Sequence, residues 1–226
     1  MSYPSGYIDL GLIEYKIAWE KQENFNQAII SQKKQNKQGE GKLIFCEHPH
    51  VFTMGKSGEQ NNLLINNEFL KKVDASYYKS NRGGDITYHG PGQIVGYPIF
   101  DLEALGIGVK EYVNKLELAI ISTLKEYGIS ASLLAGATGV WLDVGKTNAR
   151  KICAVGVRVS KSVTMHGFAL NVNTDLNYFS YINPCGFVDK GVTSMEKELE
   201  EKPDLEEVKS RLKANIINIF SLQISI

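Results

Sequence analysis

Residues 138–173 read TGVWLDV, GKTNAR, KICAVGVRVS, KS and VTMHGFALNVN in turn, and this stretch decides the fold class. The three longer pieces are rich in β-branched and aromatic side chains, which are typical of strands. The intervening GKTNAR has the glycine and asparagine of a turn. Strands joined by such short connections predict an antiparallel meander.

Helices are predicted on both sides of this meander. The first helix is predicted to be amphipathic, with residues of one face at helical spacing: Tyr15, Trp19, Gln22, Phe25 and Ile29. The polar run that follows, 31–42, is expected to be an exposed loop. The second ends at Gly128, and its stripe, which we interpret as core, consists of Val113, Leu116, Ile120, Leu124 and Tyr127.

A third helix is predicted to open at Asp204, because Glu207 follows three residues later in a capping-box pattern. Between the first two helices, residues 42–48, KLIFCEH, are predicted to form a buried strand. Helices that interrupt groups of strands, without regular βαβ alternation or a repeat, predict an α+β fold. We therefore expect one domain over residues 1–226, with a mixed, largely antiparallel sheet and flanking helices.

The composition limits the classes of partner and the cellular location that we expect for the protein. Lys plus Arg and Asp plus Glu number 25 each among 226 residues, so the overall charge does not favour nucleic acid or an anionic membrane as a partner. The first residues lack the basic and apolar regions of a signal peptide, and no 18 apolar residues run together. A soluble, cytoplasmic protein is expected. Three cysteines are too few and too odd in number for a disulfide framework.

A glycine-rich segment, RGGDITYHGPGQIVGYP at 82–98, is the first candidate for a binding site. Backbone N–H groups of such a loop can receive a carboxylate, phosphate or thioester oxygen, and Tyr88 could wall an acyl slot. Tight turns between strands explain the same composition equally well. Neither phosphate-binding fingerprint is present, so a nucleotide is not supported.

Cys185 lies in INPCGF, between a proline and a glycine, where a turn would place its sulfur at a surface or in a cleft. Cys46 and Cys153 instead lie in apolar runs and are interpreted as buried thiols. A nucleophilic cysteine needs a cation or base beside it, because a free thiol is mostly protonated at neutral pH.

The candidates for that base are Lys151, His89 and His166. Lys151 is placed best, because it shares a strand face with Cys153 and three valines and would be partly desolvated there. The alternative is a strand-end lysine whose amine reaches water. His166 is more typical of a turn or of a hydrogen-bonded core histidine. His48, His50 and Cys46 lack a second ligand pair at metal spacing, so no metal site is expected.

Five ordered motifs together carry a family resemblance: EHPHVFTMG from Glu47, RGGDITYHGPGQ from Arg82, KICAVGVR from Lys151, HGFALNVN from His166 and INPCG from Ile182. Over nearly the whole chain the sequence resembles the lipoyl(octanoyl) transferase family. The resemblance implies the fold shared with biotin and lipoate protein ligases. It also implies that Cys185 accepts the acyl group and that Lys151 sets its protonation.

The resemblance further implies a set of residues lining the acyl-substrate site: Arg82, Gly83, Gly84, Asp85, Ile86, Thr87, Tyr88, His89, Ala154, Val155, Gly156, Gly167, Phe168 and Ala169. Asp85 is a departure, because members of this family often have an uncharged polar residue there. The Cys185 and Lys151 assignments do not depend on it.

By the same resemblance, the protein transfers an octanoyl or lipoyl group from acyl carrier protein to the lysine of apo lipoyl domains, through a thioester on Cys185. The acceptors would be 2-oxoacid dehydrogenase E2 subunits and glycine cleavage H protein, in the first step of endogenous protein lipoylation. No cofactor, metal, nucleic acid or membrane is implied, and we expect a monomer.

Other functions fit parts of the pattern. An ATP-dependent lipoate or biotin ligase would share the fold but would not need Cys185. A carrier-binding or acyl-sensing protein could retain the motifs without catalysis. A papain-like protease fits poorly, because that family places its cysteine near the mature N-terminus, before its histidine.

Overall fold

The computed structural model describes residues 2–183 and 191–224, and Cys185 lies outside them. The chain begins with β1 (Tyr3–Leu12), α1 (Tyr15–Lys34), β2 (Gly41–Glu47) and β3 (Val51–Met54). It continues with α2 (Asn67–Lys72), β4 (Ser76–Lys79), β5 (Thr87–His89), β6 (Gln93–Ile99), α3 (Leu102–Leu105) and α4 (Val109–Glu126). The meander is β7 (Ser132–Leu134), β8 (Ala137–Leu142), β9 (Arg150–Ser160) and β10 (Val163–Asn171), followed by β11 (Gly191–Val192), α5 (Met195–Leu199), α6 (Leu205–Phe220) and β12 (Leu222–Ile224).

The described strands form a large and a small sheet. The large sheet runs in the order β12, β1, β2, β6, β10, β9, β8, β7, and β11 pairs with the start of β9. The β1–β12, β1–β2 and β9–β11 pairs are parallel, whereas the strands from β2 through β6 to the meander pair antiparallel. The small sheet has the order β4, β3, β5. This arrangement confirms the α+β class, the mixed sheet and the antiparallel meander of β8, β9 and β10.

Alternating side chains of the large sheet enter two hydrophobic clusters. Leu43 and Phe45 of β2 join the cluster formed with α4 and α6, whereas Ile44 and Cys46 join the cluster beneath α1. The period of two along β2 thus divides its side chains between helices on opposite faces of the sheet. Cys153 also lies in the α4 cluster, so both thiols interpreted as core are buried.

The three predicted helices are confirmed, with one change of boundary. α1 continues to Lys34, into the run expected to be a loop, because 31–34 contains no glycine or proline to end it. Gly128 follows α4 with φ +76°, which a glycine adopts without strain. The Asp204 side chain accepts a hydrogen bond from the backbone N–H of Glu207 at 2.9 Å and caps α6 as predicted.

Within residues 2–183 and 191–224, no helix combines the length and the apolar character needed to cross a membrane. The sheet and its helices enclose a cleft. The cleft lies where β10 stops pairing with β9 and β11 becomes the neighbour of β9. β10 pairs with β9 as far as Leu170 opposite Cys153, and Val192 of β11 then pairs with Lys151. This exchange of neighbours brings the start of β9 beside the cleft.

Candidate functional site

The cleft has a volume of about 520 Å³, a size typical of small-molecule sites. Its walls come from the glycine-rich segment, from β6, from β9 and from β10, and residues of β8 and β11 lie at one end. Among the residues predicted to bind substrate, the described lining includes Arg82, Gly83, Gly84, Asp85, Ile86, Thr87, His89, Ala154, Val155, Gly156, Gly167, Phe168 and Ala169. Lys151 lines the same cleft. The predicted residues of the glycine-rich segment, β9 and β10 therefore meet at one place.

Tyr88 is the exception in the predicted set. Thr87 and His89 line the cleft, but Tyr88, between them on β5, points the other way and is fully buried beneath the small sheet. Its hydroxyl lies 2.7 Å from Nδ1 of His50, and its ring stacks on Tyr178 at a centroid distance of 4.8 Å. The proposed acyl-slot wall at Tyr88 is thus not part of this cleft, because the alternation of the strand turns the ring away.

The glycines bring the glycine-rich loop onto β9. The backbone N–H of Gly83 donates to the carbonyl of Val157 at 2.9 Å. A Cβ at Gly156 would lie 2.9 Å from the carbonyl oxygen of Gly83, closer than such contacts normally come. Close backbone approach therefore accounts for both glycines. The loop is both a turn between strands and a wall of the cleft.

Arg82 holds this loop through hydrogen bonds to protein atoms. Its guanidinium donates to the carbonyl oxygen of Thr53 at 2.5 Å, to Oγ1 of Thr53 at 3.0 Å and to the carbonyl oxygen of Gly83 at 2.9 Å. The residue is only 8% exposed. A buried guanidinium requires such acceptors, so Arg82 fixes the loop against β3.

Asp85 also joins two parts of the chain. Its Oδ2 accepts from the amide of Asn62 at 2.6 Å, and its Oδ1 accepts from the backbone N–H of Ile86 at 2.6 Å. The backbone of Asn62 in turn accepts from the N–H of Asn183 at 2.8 Å. Asp85 therefore ties the glycine-rich loop to the 60–62 turn, and the same turn is hydrogen-bonded to Asn183.

Lys151 extends along the end of the cleft that β8 and β11 form. Its Nζ lies 4.7 Å from the centroid of the Trp141 ring, within cation–π range. Its carbonyl accepts from the N–H of Thr193 at 2.9 Å, and Val192 is its partner on β11. Cys153 of the same strand lies in the α4 core cluster and Val155 packs against it, which confirms the predicted apolar face around Lys151.

A buried polar chain, which the sequence did not reveal, crosses the cleft floor. His89 Nδ1 lies 2.8 Å from Oε1 of Gln93, and the Gln93 amide donates to Oδ1 of Asn171 at 2.8 Å. The Asn171 amide donates to the carbonyl of Thr193 at 2.9 Å. Burial and the neighbouring His48 hold the pKa of His89 well below its usual value, so this ring is neutral. Gln93 begins β6 and Asn171 ends β10, and polar residues at the ends of mainly apolar strands are the one signal that the sequence offered.

The remaining histidines have structural partners. His48 Nδ1 lies 2.7 Å from the carbonyl of Ile13 and Nε2 lies 2.7 Å from the Tyr97 hydroxyl, and burial lowers its pKa to about 4. His166 Nε2 lies 2.6 Å from Oδ1 of Asn81, and burial, aided by the charge of Arg82, lowers its pKa to about 3. His166 is thus a hydrogen-bonded core histidine at the cleft wall. Among the described residues, no three His, Cys, Asp or Glu side chains cluster as a metal site would require.

Burial raises the pKa of the thiols of Cys46 and Cys153, which makes both poor nucleophiles at neutral pH. Cys185, the predicted nucleophile, falls in the part of the chain that the structure does not describe. The described residues that flank this part include Gly191, which pairs with Arg150 and lines the cleft.

Comparison with known sequences places these features in a family. A family model described as the lipoyl protein ligase A/B catalytic domain matches residues 15–217. An octanoyltransferase of Bacteroides fragilis (strain YCH46) is 56% identical over 204 residues, which cover 90% of this chain and 92% of that protein. An octanoyltransferase of Flavobacterium johnsoniae is 53% identical over 223 residues, which cover 96% of each chain.

Solved structures show the same fold at low sequence identity. The bi-partite lipoate protein ligase of Thermoplasma acidophilum, studied with its E2 lipoyl domain, has a TM-score of 0.72 at 14% identity, over 99% of this chain and 86% of that one. Lipoate-protein ligase A bound with ATP has a TM-score of 0.70 at 15% identity, over 100% and 88%. Biotin protein ligase from Aquifex aeolicus has a TM-score of 0.55 at 14% identity, over 96% and 70%. The predicted biotin and lipoate ligase-like fold is confirmed.

Proposed function

This chain belongs to the lipoyl protein ligase A/B catalytic domain family and is an acyltransferase, and from this premise we propose that it moves an octanoyl group, or a lipoyl group, from acyl carrier protein to a lysine of apo lipoyl domains. The acyl group would pass through a thioester on Cys185. The observation that carries the proposal is the position of Lys151, at one end of a cleft in which the charges of Arg82 and Asp85 are hydrogen-bonded to protein groups and in which His89 and His166 are neutral.

In the first half-reaction, the neutral amine of Lys151 takes the proton of the Cys185 thiol. The thiolate attacks the carbonyl carbon of the octanoyl thioester, and the tetrahedral intermediate collapses by breaking the bond to the carrier thiol, which leaves with a proton. Backbone N–H groups of the glycine-rich loop stabilise the oxyanion. The product is octanoyl-Cys185, in which one thioester has replaced another.

In the second half-reaction, the acceptor lysine loses a proton to Lys151 and its amine attacks the octanoyl-Cys185 carbonyl. An amide bond forms, the bond to the Cys185 sulfur breaks, and Lys151 returns the proton to the departing thiolate, which restores the Cys185 thiol. Thioester exchange is nearly balanced and amide formation is downhill, so the reaction needs no ATP. The acceptors we propose are lipoyl domains of 2-oxoacid dehydrogenase E2 subunits and glycine cleavage H protein.

The test is the intact mass of the protein after it is mixed with octanoyl-acyl carrier protein in the absence of ATP. Wild type should gain one octanoyl group, which hydroxylamine removes and peptide mapping places on Cys185. Cys185→Ser should gain none and Lys151→Ala should gain it slowly. Cys46→Ala is the matched thiol control and should be acylated like wild type.

An ATP-dependent ligase is the second candidate, favoured by the likeness in fold to lipoate-protein ligase A bound with ATP. It predicts that Cys185→Ser keeps full activity and that free octanoate with MgATP replaces the carrier. Acylation of wild type by the carrier alone excludes that candidate. The absence of any adduct on folded protein would refute the thioester route.

A further inference from the structure

Glu117 is a carboxylate on the helix face that packs against the sheet. It lies on α4 within the stripe interpreted as core, and it is 7% exposed. Val113, one turn earlier on the same face, lines the cleft. Removing a carboxylate from water is costly unless hydrogen bonds and opposite charge compensate, so its partners indicate what it does there.

The first partner is a backbone group beside Lys151. The N–H of Gly139 donates to Oε1 of Glu117 at 2.7 Å. Gly139 has φ +117°, a conformation that side chains rarely adopt, and a Cβ there would lie 3.5 Å from Cε of Lys151. Glu117 therefore holds the piece of β8 against which the Lys151 side chain lies. Two residues later, Trp141 places its ring under Nζ.

The second partner is the charge of Lys151. Burial raises the pKa of Glu117, whereas the hydrogen bond from Gly139 and the positive charge of Lys151 act in the opposite direction. The charges of Lys151 and Glu117 are also both felt by the buried thiol of Cys153. Glu117 from α4 and Cys153 from the same strand as Lys151 are thus titratable groups whose electrostatics the lysine affects, while β8 contributes the uncharged Trp141.

We propose that Glu117 is a positioning residue for Lys151, which both fixes the β8 wall along the lysine side chain through Gly139 and favours the protonated form of the amine. This inference rests on the proposed role of Lys151 as the proton acceptor. The negative charge attracts the ammonium, and so delays its deprotonation to higher pH. The neutral Lys151 amine is then a stronger base, but a smaller fraction of Lys151 is neutral near pH 7.

Two substitutions separate the two effects. Glu117→Gln retains an oxygen that can accept from Gly139 but removes the charge, whereas Glu117→Leu removes both. Glu111→Gln makes the same charge change at an exposed position of the same helix and serves as the matched control.

Protonation of Lys151 is measured directly, by trace labelling of amines with acetic anhydride between pH 6 and pH 11 and mass spectrometry of the Lys151 peptide. The neutral amine alone reacts, so the midpoint reports deprotonation without any substrate. Glu117→Gln should move the midpoint to lower pH, and Glu111→Gln should leave it unchanged. An unchanged midpoint in Glu117→Gln overturns the charge effect and with it the inference.

The same variants are then acylated by octanoyl-acyl carrier protein. The acid limb of the rate should move to lower pH in Glu117→Gln, in step with the labelling midpoint, and the plateau should fall a few-fold. Glu117→Leu should fall about a hundredfold, as a displaced catalytic group does. Equal plateaus in wild type and folded Glu117→Leu would overturn the positioning role. If no variant is acylated while the midpoint still shifts, the proposed function fails and the charge effect stands.

Discussion

Acidification should destabilise this fold between pH 6.5 and pH 4, because three buried histidines are neutral in the folded state. His48 and His166 have their pKa lowered from 6.5 to about 4 and about 3, and that of His89 lies well below 6.5, in each case chiefly through burial. In the unfolded chain all three take up protons near pH 6.5. The unfolded state therefore binds more protons in this window, and the free energy of unfolding falls as the pH falls.

His48 and His166 each lower the free energy of unfolding by about 1.4 kcal/mol at pH 5.5 and by about 2 kcal/mol at pH 5. The two together amount to about 4 kcal/mol at pH 5, a large part of the whole stability of many domains, and His89 acts in the same direction. Hydrogen bonds from Lys146 and from Arg150 lower the pKa values of Asp143 and Glu198, respectively. These two carboxylates therefore reduce the free energy of unfolding only below about pH 4.5. They contribute little in the window from pH 5 to pH 6.5, where the histidines titrate.

Urea unfolding at several pH values between 5 and 7.5 measures the effect, with a constant m-value as the check on two-state behaviour. His166→Asn is the informative variant, because His166 has φ +58° and asparagine tolerates that region. It should reduce the slope of stability against pH, because one of the buried histidines no longer titrates. His50→Gln, at a partly exposed position, should change the slope much less. Equal slopes in wild type and His166→Asn would refute the reasoning.

Other substitutions test the cleft and the scaffold separately. Gly167→Ala should destabilise the protein by about 1–3 kcal/mol, because its Cβ would overlap a carbonyl oxygen of β6, whereas Gly108→Ala meets no atom within 4 Å and should be nearly neutral in thermal unfolding. Asp85→Asn leaves one oxygen for two donors, the Ile86 N–H and the Asn62 amide, and should cost about 1–3 kcal/mol in urea unfolding. Asp204→Ala removes the α6 cap and should cost about 1 kcal/mol while the acylation rate by octanoyl-acyl carrier protein stays unchanged.

Much of the fold follows from local periodicity. Leu116, Ile120 and Leu124 of α4 are buried as their spacing predicts, and the meander around Cys153 pairs as its turns predict. β11 had no such signal, because two residues cannot establish a period and their pairing with Arg150 and Lys151 joins distant parts of the chain. Long-range parallel pairing of this kind is decided by tertiary packing.

In the candidate site, too, local sequence predicted some features and not others. The glycine-rich loop and Lys151 were recognisable because composition and alternation are local properties. Tyr88 was misplaced because the glycines around β5 hid a strand of three residues whose alternation turns the ring away. Glu117 was missed because a single charge within an apolar helical stripe does not reveal that the facing strand carries a lysine.

The distribution of charge within the cleft connects the fold to an acyl substrate. The guanidinium of Arg82 hydrogen-bonds to Thr53 and Gly83, and the carboxylate of Asp85 accepts from protein N–H groups, so both charges of the glycine-rich loop are compensated by the protein itself. His89 and His166 are neutral by virtue of burial. An octanoyl chain has no charge to offer, and it would lie against this part of the cleft without leaving a buried ion unpaired. Ionisable chemistry is concentrated at the other end, where the Lys151 side chain lies against Gly139, whose N–H donates to the carboxylate of Glu117 behind it.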